Sequence, residues 1–125
     1  MIRPLAALAL ALPLLAAGSD PLADRIAGAP QRCIPLSATN GPSIVDARTI
    51  LYTEGAGRRV WKTGPVGNCP SLEPLTTLIV DIYGGQLCRN DRFRVLTPGT
   101  SIPSAYCRFT EFTPYTRAAE APRPD

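Results

Sequence analysis

From Gln31 onward the apolar residues come in short runs that proline or glycine interrupts, a punctuation that predicts strands rather than helices. Arg32–Leu36 (RCIPL) reads as a first strand, placed at an edge because Pro35 has no amide to donate to a ladder. Asn40-Gly41-Pro42 reads as a turn. Thr49–Thr53 (TILYT) is β-branched and aromatic, and Glu54–Gly57 turns it into Arg59–Thr63 (RVWKT), which predicts a hairpin. Gly64–Pro70 is irregular. Leu75–Tyr83 (LTTLIVDIY) is the longest apolar run of this region and is expected to be the central strand, with a short helical entry where Ser71, Glu73 and Pro74 precede it. Gly84-Gly85 ends the run. Gln86–Cys88 and Arg92–Leu96 follow as strands, with a turn at Asn90-Asp91 between them. Ala105–Phe112 is expected to be the last strand, with Tyr106, Arg108 and Thr110 on one side and Cys107, Phe109 and Glu111 on the other.

This pattern predicts an all-β domain over residues 31–116: five to seven short, mostly antiparallel strands in a small sheet or partly open barrel, with at most one short helix. Its expected core is Ile34, Ile50, Tyr52, Val60, Leu78, Val80, Ile82, Leu87, Phe93, Val95 and Phe109. Residues 19–30 (SDPLADRIAGAP) read as a linker that Pro30 would keep from extending a helical turn. Residues 117–125 (RAAEAPRPD) have nothing larger than alanine to bury and read as a disordered tail.

The first 18 residues follow a different pattern. Arg3 precedes Leu5–Ala17 (LAALALALPLLAA), an apolar stretch broken only by Pro13, and the small residues Ala16, Ala17 and Gly18 lead into Ser19 and Asp20. This is the layout of a secretory signal peptide over residues 1–18, cleaved after Ala17 or Gly18. The stretch is shorter than the ~20 residues a membrane-spanning helix needs, so no span is expected once it is removed. No cysteine follows it, which argues against a lipid anchor. The expected location is periplasmic or secreted.

Composition narrows the chemistry. Of 14 prolines and 10 glycines, only Pro4, Pro13 and Gly18 lie within the first 18 residues, so the remainder is too interrupted for a coiled coil or a long-helix bundle. The chain has no histidine, which excludes a Ser-His-Asp triad, a Cys-His dyad and any histidine-ligated metal. Cys33, Cys69, Cys88 and Cys107 are widely spaced and include no Cys-x-x-Cys pair, unlike a zinc site or a redox motif. In an exported domain of this size they read as two disulfides. Three connectivities are open. Because domain termini often lie close together, the nested pattern Cys33–Cys107 with Cys69–Cys88 is the one expected. Two cross-links are also physically apt, since about 85 residues bury only ~60% of their unfolded surface and form a marginal core.

Without histidine, acid–base work would fall to carboxylates. Asp81 interrupts the run Leu78–Ile82, and alternation with Val80 and Ile82 puts it on the outer face. Asp91 reads as a turn cap and Glu54 as solvated. Gly55-Ala56-Gly57 lacks the lysine of a phosphate loop. No motif calls for a cofactor or a metal. The basic residues are more informative: Arg89, Arg92, Arg94 and Arg108 flank Cys88 and Cys107, and Arg92 and Arg94 share a strand face. Guanidinium forks suit carboxylate and phosphate, making these four a candidate anion-binding set, against the plainer reading of charged strand faces that discourage edge pairing. Arg58, Arg59 and Lys62 form a second basic group beside Trp61. A net charge of +3 on an exported chain does not suit nucleic acid.

Asn68-Cys69-Pro70-Ser71-Leu72, Gly85–Val95 (GQLCRNDRFRV) and Cys107–Pro114 (CRFTEFTP), together with Cys33-Ile34 and Asp46–Tyr52 (DARTILY), resemble a family of small exported four-cysteine proteins of Gram-negative bacteria known as a domain of unknown function. Ser71 and Asn90 stand where that pattern usually has glycine. The resemblance implies export and disulfides, and implies no activity, cofactor or catalytic residue. The function expected is therefore a non-enzymatic binding or envelope-structural module with an anionic envelope component as its partner. A carboxylate-based hydrolase or lyase acting on an envelope polymer, or a secreted enzyme inhibitor, is the alternative.

Overall fold

The computed structural model describes residues 20–117. Ten short strands run in the order β1 (Arg25–Ala27), β2 (Cys33–Pro35), β3 (Thr39–Asp46), β4 (Thr49–Glu54), β5 (Arg59–Thr63), β6 (Thr77–Val80), β7 (Gln86–Cys88), β8 (Arg92–Leu96), β9 (Cys107–Arg108) and β10 (Thr113–Arg117). They form three open, entirely antiparallel sheets: β1-β10-β5-β4-β3, β2-β7 and β6-β8-β9. Among the described residues, the only helical turn is a 3-10 turn at Leu36–Ala38. The small antiparallel all-β class is as expected, with more and shorter strands.

The β4–β5 hairpin forms where the alternation placed it, with Tyr52 opposite Trp61. Gly55, Ala56 and Gly57 all turn through positive φ, a conformation that two glycines make accessible. Ile50, Tyr52 and Trp61 face inward, where they join Ile34 and Leu87 from the β2–β7 ribbon and Phe93 and Val95 from β8. Aromatic rings connect the sheets. The Phe93 and Phe109 centroids are 4.4 Å apart, Phe109 and Phe112 are 5.9 Å apart, and Tyr52 meets Phe112 edge-on at 6.4 Å.

Four expectations about elements are corrected. Leu75–Tyr83 is not the central strand: only Thr77–Val80 forms a strand, at the edge of the three-stranded sheet whose centre is β8, and Tyr83 makes an isolated bridge to Gln86. Leu78 and Val80 are half-buried against the core, while Ile82 is 54% exposed, because the ladder ends at Val80–Phe93 and Asp81 begins a loop. Asn40-Gly41-Pro42 does not reverse the chain. β3 runs through it with a bulge between Asn40 and Ser43, and a Cβ at Gly41 would press on the Leu51 carbonyl, so glycine fits there. The run Ala105–Phe112 divides: Cys107–Arg108 joins the three-stranded sheet, Thr113–Arg117 joins the five-stranded sheet, and the fully buried Phe109 and Phe112 cross the core between them.

The segment read as a linker supplies β1, which pairs with β10 as Arg25↔Arg117, Ile26↔Thr116 and Ala27↔Tyr115. Polar contacts hold it there. The Arg25 guanidinium donates to the carbonyls of Gly57, Arg58 and Tyr115, and Gly28 N–H donates to the Pro114 carbonyl. The stretch read as a signal peptide and residues 118–125 of the tail lie outside the described residues.

Two disulfides form, but not in the nested pattern: the pairs are Cys33–Cys88 and Cys69–Cys107. Cys33 and Cys88 are direct cross-strand partners in the β2–β7 ribbon, which settles that pair by register. The two ends of the described domain do lie together, but through β1 and β10, which lie outside the outermost cysteines. Disulfides of this kind suit an oxidising, non-cytoplasmic compartment.

Candidate functional site

The three-stranded sheet has one face on the core and one on solvent. Leu78, Val80, Phe93, Val95 and Cys107 point inward, so the alternation of β8 turns Arg92 and Arg94 outward. The register then does what sequence spacing could not: Arg92 and Arg108 stand directly opposite each other on β8 and β9. Ile79 of β6 stands opposite Arg94. Like charges placed opposite each other in a sheet repel, and the surroundings only partly relieve this. Asp81 reaches Arg92 at 3.7 Å, and the Tyr106 ring lies beneath both Arg92 (4.6 Å) and Arg94 (5.1 Å). The Nε of Arg94 is buried in this packing without a hydrogen-bond partner.

Three guanidiniums thus share a face with a single paired carboxylate. The other acids near them in sequence are committed elsewhere. Asp91 accepts a hydrogen bond from the Cys88 N–H, as a turn residue does. Glu111 accepts one from Arg89 at 3.0 Å. Arg89 is therefore the one member of the expected set that does not join the cluster. The left-handed Asn90 turns the chain between Arg89 and β8, and the charge of Arg89 is matched by Glu111.

The second basic group does not form a comparable surface. Arg58 donates to the Gly55 carbonyl, and Arg59 lies 3.8 Å from Glu54 and over Trp61. Trp61 is buried, its indole N–H bonded to the same Glu54 carboxylate at 2.7 Å. An open cavity of about 480 Å³ at this hairpin turn is lined by Glu54, Gly55, Arg58, Arg59 and Thr116, and Glu54 is its one carboxylate. Asp46 caps the β3–β4 turn by accepting from the Arg48 N–H, which holds its carboxyl below the usual carboxylate range. Burial pushes the Tyr52 hydroxyl well above the ordinary tyrosine range.

Asp81 lies on the outer side, as alternation predicted. Tyr106 was legible as a neighbour of Arg108 but not as the ring that gathers Arg92 and Arg94, because that contact needs the β8–β9 register. Among the described residues, no helix is long and apolar enough to cross a membrane. No family model, curated protein or solved structure matches the chain.

Proposed function

We propose that this protein is an exported, non-enzymatic β module, periplasmic or secreted, that binds an anionic component of the cell envelope through Arg92, Arg94 and Arg108, with Tyr106 beneath Arg92 and Arg94. The observation that carries the reading is the register pair Arg92↔Arg108 on a solvent-facing sheet where, among the described residues, three guanidiniums meet only the Asp81 carboxylate. A ligand bearing phosphate or carboxylate groups supplies the missing counter-charge, and guanidinium forks bind such groups with paired hydrogen bonds. Export is supported by the apolar stretch Leu5–Ala17 and by two disulfides, and the resemblance to exported four-cysteine proteins of Gram-negative bacteria belongs to the same reading.

The test is a titration of the parent protein and of the Arg92→Ala/Arg94→Ala double variant against soluble anionic polymers at two ionic strengths. The parent is expected to bind, and to bind less as the Debye length shrinks from ~10 Å at 0.1 M salt to ~3 Å at 1 M. The double variant is expected to lose most of that binding. Equal binding by the two, or indifference to salt, would leave the arginines as an ordinary solvated face. The amino terminus of protein recovered outside the cytoplasm should begin at Gly18 or Ser19.

A further inference from the structure

Seven large apolar side chains stand exposed among the described residues, and five of them (Leu75, Ile82, Tyr83, Ile102 and Tyr106) belong to the three-stranded sheet and its bounding loops. Their placement follows from the register. The ladder between β6 and β8 begins at Thr77–Leu96 and ends at Val80–Phe93. Leu75 lies two residues before the first rung. Ile102 lies in the loop after β8, which Ser104 ties back to Val95 through two hydrogen bonds. These two side chains, 90% and 84% exposed, therefore mark one end of the sheet. Ile82 and Tyr83 follow the last rung and mark the other, at 54% and 66% exposure.

Between the two ends lies the cationic face of Arg92, Arg94 and Arg108. Leu75 is held in place by a turn in which both the N–H and the hydroxyl of Thr76 bond to the Glu73 carbonyl. It adopts φ 71°, a left-handed conformation that leucine enters only at a cost. No burial offsets that cost in the protein alone.

A soluble anion would meet the arginines and leave the apolar ends in water. A lipid surface meets both at once: aliphatic tips enter the boundary beneath the headgroups, tyrosine sits at headgroup level, and arginines lie over phosphates. We infer that the outer face of the three-stranded sheet docks on an anionic phospholipid surface, with Leu75 and Ile102 inserted and Arg92, Arg94 and Arg108 on the phosphates. This rests on the anion-binding reading above and names its ligand.

The experiment is cosedimentation of protein recovered from the periplasm with two vesicle types, phosphatidylglycerol mixed with phosphatidylethanolamine and phosphatidylcholine alone, alongside titration with dextran sulfate as a soluble polyanion. Parent protein, Leu75→Asn/Ile102→Ser and Arg92→Gln/Arg94→Gln are compared, each with its thermal melt. Asparagine tolerates the left-handed backbone at position 75. The parent is expected on phosphatidylglycerol vesicles and not on phosphatidylcholine. The apolar variant is expected to lose on the order of tenfold in vesicle affinity while keeping its affinity for dextran sulfate. The arginine variant should lose on the order of tenfold on both.

If the parent binds dextran sulfate but no vesicles, or if the apolar variant binds vesicles as the parent does, the lipid assignment is overturned and the anion-binding reading stands. Binding to neither overturns both. Capture of a lipid-free envelope protein that depends on Leu75 and Ile102, with no vesicle binding, would give the face to a protein partner and overturn the lipid assignment.

Discussion

Gly64 shows how one position can be fixed by its surroundings. It follows β5, its N–H and carbonyl are both bonded to Thr110, and a Cβ there would overlap the Arg48 carbonyl oxygen. Backbone cannot yield as a flexible side chain can, so Gly64→Ala is expected to destabilise the protein by about 1–3 kcal/mol, read from its urea midpoint with the disulfides intact. Asp46 gives a pH-dependent counterpart. Its folded pKa lies below the ordinary 3.8 because the carboxylate accepts from the Arg48 N–H. A depressed folded pKa contributes stability above the unfolded value and loses it as pH falls through the folded one. The stability gap between parent and Asp46→Ala should therefore be present at neutral pH and close on acidification below 3.8. Urea melts at neutral pH and in strong acid check this, and a gap that does not change would remove the cap from the account.

At the scale of elements, the disulfides compensate for short strands. The β2–β7 ribbon pairs only three residues a side, and an isolated two-stranded ribbon is at best marginal in water. Cys33–Cys88 spans 55 residues and Cys69–Cys107 spans 38, separations for which chain entropy gives similar stabilisation of roughly 4 kcal/mol each. Replacing either pair with alanine should cost about 2–5 kcal/mol, and a non-reducing peptide map should join Cys33 to Cys88.

The legibility of these elements in the sequence depended on range. The β4–β5 hairpin was readable because its alternation and its glycine turn lie within one short segment. Arg92, Arg94, Arg108 and Tyr106 were readable as strand faces for the same reason. The pairing of Cys33 with Cys88 was not, since it depends on register between strands far apart in sequence. β3 was hidden because a bulge at Gly41-Pro42 looks like a reversal. Leu75–Tyr83 is not legible as an edge because a long apolar run has the pattern of a central strand, whereas its apolar ends, Leu75, Ile82 and Tyr83, are exposed.

Across the whole molecule, Phe93, Phe109, Phe112 and Tyr52 run through the interior as one row of rings that joins the three-stranded and five-stranded sheets, and Ile34 and Leu87 bring the β2–β7 ribbon into the same core. No sheet has a core of its own. The chain also enters and leaves the described domain side by side, Arg25 opposite Arg117. Under tension this arrangement behaves as a zipper. A force applied at those two residues loads the β1–β10 ladder one rung at a time, so it should open at low force. The cross-links then set how far it runs: with both closed, only residues 25–33, 88–107 and 107–117 can extend, about 130 Å in all, whereas the reduced chain can reach about 320 Å. Single-molecule pulling before and after adding a reductant would measure the difference. Early yielding with a hard stop would make this small domain a short extensible tether whose length is set by its redox state.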